Sequence, residues 1–278
     1  MFQFLVDKAL CNDCGLCATD CVAGIIEMGE GGLPLISPEK REQCCACQHC
    51  LAVCPTGAIS VLGKNPADSK PMSEVGIPSP EQMDDLIRSR RSIRHYRDAN
   101  VDPALISSLL KTLAHAPTGV NKQELTFSVI DDKEVMRAFS GRMIAAMVEA
   151  VAKDDASERY GLLAQVASLP EETVSSMLFR GAPHALIVSA PADAPCADQD
   201  VALSLAYFEL LAQSAGLGTV WWGLLRYALT VIPEMKSVLG IPGDHVFYAM
   251  LFGLPAIKFA RTTQKEDVAV VRRVELTD

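Results

Sequence analysis

Two apolar rhythms alternate along the larger, C-terminal part of the chain. Helix-like segments cover 103–114, 133–152 and 171–179, while short aliphatic, β-branched and aromatic runs at 125–130, 185–190, 219–222 and 246–252 read as strands. Another helix opens at Ser79-Pro80-Glu81-Gln82 and runs to about Arg90. Its start has a capping serine, a first-turn proline and a glutamine three residues past the serine. The helix at 200–215 is apolar nearly all round, with only a few polar side chains such as Ser204, Glu209 and Gln213. A helix of that kind belongs in a core or a large subunit interface. Strands and helices alternating in this order predict an α/β or α+β layer fold.

The first 63 residues lack such periods and offer only strand-like pieces at Ile25-Ile26 and 59–61. Residues 64–80 carry Pro66, Pro71, Pro78 and Pro80 among Lys, Asp, Ser and Gly, which predicts an extended, semi-rigid linker that spans on the order of 50 Å if fully drawn out. The expected division is therefore 1–63, 64–80 and 81–278.

Cysteine usage changes the picture of the first segment. Eight of the ten cysteines form two runs of the same shape, C-x2-C-x2-C-x3-C: Cys11, Cys14, Cys17, Cys21 and Cys44, Cys47, Cys50, Cys54. This is the ferredoxin spacing for two [4Fe-4S] clusters, in which three thiolates hold one cluster and the fourth crosses to the other. Cys11, Cys14, Cys17 and Cys54 are then expected on one cluster, and Cys44, Cys47, Cys50 and Cys21 on the second. A zinc ribbon would use pairs separated by a longer loop, and disulfides would need an oxidising compartment; only Phe2 to Val6 is apolar before Asp7, so no signal peptide is read. The runs form an internal repeat in which Cys21-Val-Ala-Gly-Ile-Ile matches Cys54-Pro-Thr-Gly-Ala-Ile. Cys45 reads as a small packed side chain, Cys196 as an ordinary free thiol, and His49 as a neighbour that tunes cluster solvation.

The net charge of −9 argues against nucleic acid as a partner, and no uncharged run reaches membrane-spanning length. A reducing, cytoplasmic setting is the expectation. His95, His115, His184 and His245 are each isolated and read as packing or surface residues.

Arg90-Arg91-Ser92-Ile93-Arg94 gathers three guanidiniums and a hydroxyl into a candidate anion site. Three further motifs follow in order: Ala116-Pro117-Thr118-Gly119-Val120-Asn121, Gly216-Leu217-Gly218-Thr219-Val220-Trp221-Trp222-Gly223, and Phe252-Gly253-Leu254-Pro255-Ala256 with Lys258 and Arg261. With this order and spacing, residues 81–278 resemble an FMN-dependent nitroreductase, and the N-terminal part resembles a bacterial two-cluster ferredoxin. The resemblance implies an α+β protein: a small two-cluster ferredoxin-like domain followed by a nitroreductase-like α/β sandwich that dimerises, with FMN at the homodimer interface. It implies that Arg90, Arg91, Ser92 and Arg94 grip the FMN phosphate and ribityl chain, and that Arg261 with Lys258 forms a C-terminal phosphate clamp. Pro117, Thr118, Gly119 and Asn121 match the loop that reaches the flavin from the neighbouring subunit, and Trp222-Gly223 the segment along the isoalloxazine ring. Two departures stand out: Val22 replaces the usual proline after the fourth cysteine, and Thr262-Thr263 follow Arg261 where a second basic residue is common.

No G-x-G-x-x-G follows a strand, so a separate nicotinamide domain is not expected. The implied activity is a flavin oxidoreductase that passes electrons between two [4Fe-4S] clusters and FMN to reduce a nitro, quinone or similar conjugated acceptor. Its donor would be a ferredoxin-type protein or NAD(P)H. An electron-transfer module serving a protein partner, and a related flavin enzyme with a non-nitro substrate, are the alternatives. The variable region at 131–180 is expected to shape substrate choice.

Overall fold

The computed structural model describes residues 2–153, 166 and 169–276. The chain forms two compact units, one of residues 1–78 with 120–122, the other of 79–119 with 123–278.

In the first unit, strand β1 (Phe4–Val6) pairs antiparallel with β4 (Ile59–Val61), and β2 (Glu27–Met28) with β3 (Pro34–Leu35). Two single-turn helices, α1 (Leu16–Thr19) and α2 (His49–Ala52), each start within a cysteine run. Ile25 and Ile26, read from sequence as strand-like, instead fill the small core with Cys17, Ile36 and Ile59, and pairing begins one residue later at Glu27. The cause is the left-handed turn at Gly24, which delivers both side chains inward before the strand direction is set. The proline-bearing stretch is exposed but not fully drawn out, because 3-10 turns at Pro66–Asp68 and Met72–Glu74 shorten it.

The second unit is built on a four-stranded, wholly antiparallel sheet of β5 (Thr126–Ile130), β6 (His184–Pro191), β7 (Gly218–Trp221) and β8 (His245–Gly253), in the order β5-β6-β8-β7. Helix α3 (Pro80–Ser89) opens with the predicted capping box: Ser79 Oγ accepts from the Gln82 amide, and Gln82 Oε1 from that of Ser79. It is followed by α4 (Pro103–Leu113), α5 (Lys133–Lys153), α6 (Glu171–Phe179), α7 (Ala197–Ser214), α8 (Gly223–Val231) and α9 (Met235–Val238). Both faces of the sheet are covered. Leu186 and Val188 of β6 join the core made with α4 and α7; Ala185 and Ile187 join the core made with α5, α6 and α8. A strand buried on both faces loses the alternation of apolar and polar residues, which is why β6 reads as a continuous apolar run.

His184 begins that strand and is fully buried, with Nε2 accepting the Val101 amide at 2.9 Å. Burial lowers its pKa, against smaller upward pulls from the Ile130 backbone and from Asp131 and Asp132. The unfolded chain therefore takes up a proton on His184 before the folded one does. Its stabilising contribution is present above the unfolded value of about 6.5 and is lost as pH falls through the folded value. The expected outcome is that the urea midpoint of this unit falls between pH 7.5 and 5.5 and that His184→Gln flattens the fall; tryptophan fluorescence reads it, since Trp221 and Trp222 both lie here.

Candidate functional site

The first unit holds two cysteine-lined cavities. One is bordered by Cys11, Cys14, Cys17 and Cys54, the other by Cys21, Cys44, Cys47 and Cys50. Each thus takes three cysteines of one run and the fourth of the other. The backbone that arranges them repeats as well. Left-handed residues Asp13, Gly15 and Gly24 correspond to Ala46, Gln48 and Gly57, each at the offset that separates Cys11 from Cys44. These turns reverse the chain between cysteines, so that successive sulfurs face the same cavity. Cys45 also borders the second cavity.

All ten cysteines are free thiols, with Cys17 buried, Cys14 exposed and the others between. Burial raises the pKa of Cys17 and Cys47 and pushes that of Cys50 up to about 11, each against opposing backbone hydrogen bonds. Cys54 is also penalised by burial, yet hydrogen bonds from Thr56, Ala58 and Gly57 bring it below the ordinary thiol value. The Ala58 amide donates to Cys54 Sγ at 3.2 Å. Among the described residues no three His, Cys, Asp or Glu side chains converge on a single-ion point. A cubane takes one thiolate at each of four iron corners and suits the wider ring of four. Nearby, His49 Nδ1 lies 3.0 Å from Asp20 Oδ2, both exposed.

In the second unit a cavity of about 380 Å³ opens beside the residues that follow α3. Ser92 bridges in parallel to Thr219 of β7, and the Ile93 amide donates to the Thr219 carbonyl at 2.8 Å. Gly218 permits this approach, since a Cβ there would sit 2.4 Å from Ile93 Cγ1. The Arg97 amide donates to the Leu254 carbonyl, and the Ala256 amide to that of His95, which sets 95–97 alongside 254–256. Arg91, Arg97 and Lys258 thereby line one cavity. Arg91 Nη1 donates to the Arg88 and Arg90 carbonyls, while its Nη2 is buried with no protein partner. An orphaned guanidinium nitrogen beside two further cations fits an anion such as phosphate.

The other sequence-predicted residues separate into groups. Arg90 is ion-paired to Glu209 of α7 and, like Ser92, does not border the cavity; Arg94 and Arg261 are exposed and do not border it either. Pro117 is exposed; Thr118 Oγ1 accepts the Gln123 amide at 2.9 Å. The Gly119 amide donates to both carboxylate oxygens of Asp200, at 3.0 and 3.1 Å. Asn121 belongs to the first unit, where its Nδ2 donates to the Cys45 carbonyl at 2.8 Å. The Trp222 indole is in the core against Phe179 and Phe139, with Nε1 donating to the Leu178 carbonyl; its amide donates to the Ala249 carbonyl and its own carbonyl accepts the Leu225 amide, which leaves Gly223, at the start of α8, as the part of this motif that a ligand can approach. Of the predicted specificity region, 154–165 and 167–168 lie outside the described residues.

Sequence reasoning missed Arg97, Asp200 and the partner of Glu209. The available signal was two acids inside an apolar helix. The close approach of the Gly119 loop to α7 is directly testable, because a Cβ at Gly119 would lie 2.9 Å from both Cβ and Sγ of Cys196. Gly119→Ala is expected to destabilise the fold by about 1–3 kcal/mol. Most of that loss should be recovered in the Gly119→Ala/Cys196→Gly pair, as read from denaturant midpoints.

Residues 87–254 match the family model described as the nitroreductase family, and residues 10–59 match the 4Fe-4S dicluster domain. A protein of Archaeoglobus fulgidus under the provisional name NADH dehydrogenase/NAD(P)H nitroreductase is 24% identical over 173 residues, 60% of this chain and 80% of that one. A protein of the same provisional name from Methanothermobacter thermautotrophicus is 26% identical over 186 residues, 62% of this chain and 76% of its own. Among solved structures, an FMN-bound nitroreductase of Bacteroides fragilis shares 22% identity at a TM-score of 0.53, covering 68% of this chain and 97% of its own. Another from Desulfitobacterium hafniense gives 21% and 0.52, with 68% and 96% covered. These two likenesses speak to the fold.

Proposed function

The chain belongs to the nitroreductase family, and on that premise we propose that it is a flavin oxidoreductase carrying FMN and two [4Fe-4S] clusters, which reduces a nitro, quinone or similar conjugated acceptor. The observation that carries this reading is the pair of four-cysteine cavities in a chain whose other unit has a basic cavity with an unpartnered guanidinium nitrogen. FMN supplies two-electron chemistry and the clusters single-electron transfer, so together they match one-electron donors to two-electron acceptors.

The protein's own contribution is binding, orientation and electrostatics. Cys11, Cys14, Cys17 and Cys54 would hold one cluster, and Cys21, Cys44, Cys47 and Cys50 the other. Arg91 and Lys258, joined by Arg97, would take the FMN phosphate, with Arg90 and Ser92 beside it. Backbone amides at the start of α8, from Gly223 onward, would favour negative charge on the isoalloxazine ring. The 117–119 loop would border the flavin in a homodimer. Joining the two units in one chain raises the effective concentration of the cluster donor for the flavin. Among the described residues no helix is long and apolar enough to cross a membrane. The relatives' names include NAD(P)H, and the dicluster domain resembles a ferredoxin, so either could be the entry point for electrons.

Anaerobically prepared protein should contain eight irons and eight labile sulfides per chain, since eight cysteines complete two four-thiolate sites. Cys47→Ser should lower that content and Cys45→Ser should not; zinc in place of iron would sink the assignment. Mass spectrometry of the released flavin should give FMN. In stopped-flow mixing, reduction of the flavin by a reduced ferredoxin should slow at least about tenfold in Cys47→Ser while reduction by NADPH or NADH is kept, if the clusters are the entry path. Equal ferredoxin rates in both proteins would assign the clusters another role.

A further inference from the structure

We infer that Glu209 is a positioning residue for the anion grip, holding the Arg90 guanidinium in place through a half-buried ion pair. Arg90 Nη1 donates to Glu209 Oε1 at 2.9 Å; the glutamate side chain is 10% exposed and the arginine 31%. The open side of the pair is therefore the arginine's. One nitrogen of a five-donor fork is used, and the rest of the fork is left for an anion.

The surroundings of Glu209 give it no other evident task. The inward face of α7 is otherwise built from Val201, Leu205, Phe208 and Ala212, with Asp200 and Ser204 nearer its start. A buried carboxylate in such a face is expensive, and apolar side chains of similar size commonly match or exceed buried ion pairs in stability. One turn further on, Gln213 Nε2 donates to Ser89 Oγ at 3.4 Å. Two polar side chains four residues apart on one helix thus reach two consecutive residues, Ser89 and Arg90. Just beyond, Ser92 and Ile93 are tied to β7. The segment carrying Arg90 and Arg91 is fixed on both sides, and Glu209 is the contact that sets the direction of a guanidinium. A negative charge near a phosphate would oppose binding if charge alone mattered. Arg91, Arg97 and Lys258 line the cavity and keep it positive, whereas Arg90 stands beside its border residues Ser89 and Gln213, so its reach toward a phosphate depends on the direction that Glu209 gives it.

The inference rests on the FMN reading and is tested by comparing FMN with riboflavin, which lacks the phosphate, using flavin fluorescence on the full-length chain. Glu209→Asp keeps the charge but loses the reach, and should weaken FMN about tenfold with riboflavin unchanged. Glu209→Gln keeps the reach and an acceptor oxygen but loses the charge, and should stay within about threefold of wild type for both flavins. Should Glu209→Asp fail to fold by thermal melting, Glu209→Met takes its place with the same expectation. In an Arg90→Met background the Glu209 change should add nothing further to the FMN loss. Equal weakening of FMN and riboflavin would make Glu209 a fold residue, and tighter FMN binding in Glu209→Gln would make it an electrostatic brake; either overturns the inference. Wild-type protein that binds FMN while Glu209→Asp binds it equally well overturns this inference alone. Wild-type protein that binds neither flavin overturns the flavin reading and this inference with it.

Discussion

A carboxylate removed from water must be met by donors, or its burial costs several kcal/mol. Helix α7 imposes that constraint twice. Asp200 and Glu209 are both nearly buried in a helix laid across β6, β7 and β8, and their donors come from elsewhere in the chain. Asp200 takes the Gly119 amide, 81 residues back; Glu209 takes Arg90, 119 residues back. Satisfying the two acids brings the 117–119 loop and the segment after α3 onto the same helix, nine positions apart along it. These are two of the segments that the nitroreductase resemblance implicates in holding the flavin. The stability of the fold and the placement of these two segments therefore draw on the same few contacts.

The first unit solves its problem with different chemistry. Its core centres on Cys17, Ile25, Ile26, Ile36 and Ile59, with half-buried cysteines packed around them. A core so small leaves little hydrophobic stabilisation, and bonds from metal to thiolate commonly supply the remainder in domains of this size. The raised pKa of Cys50, Cys17 and Cys47 expresses the same dependence from the side of the protein. Burial disfavours the thiolate there, and coordination to iron is what would hold it ionised.

Much of this was legible in the sequence because it is local. The capping box at Ser79, the strand at Ile59–Val61 and the apolar run of β6 follow from residues within a few positions of one another. The cysteine spacing, read through the ferredoxin resemblance, likewise groups the sulfurs as the two cavities do. What depends on distant pairing was hidden. Nothing local orders the strands β5-β6-β8-β7, and nothing near Glu209 names Arg90 as its partner. Ile25 and Ile26 misled because a pair of β-branched residues looks the same whether it extends a strand or fills a core after a left-handed turn. At Trp222 the backbone and the side chain serve different neighbours, and a sequence motif does not separate the two.

The repeat in the first unit is symmetrical in shape but not in composition. The first lobe places Asp13 and Gly15 at its left-handed turns, residue types that tolerate such backbone, whereas the second places Ala46 and Gln48. A side chain with an ordinary Cβ in that region loses roughly 1–2 kcal/mol per residue. The half of the first unit around Cys44, Cys47 and Cys50 is therefore wound against its own preference. Any group held by the thiolates of the second cavity therefore has a backbone cost to offset that the first cavity does not impose.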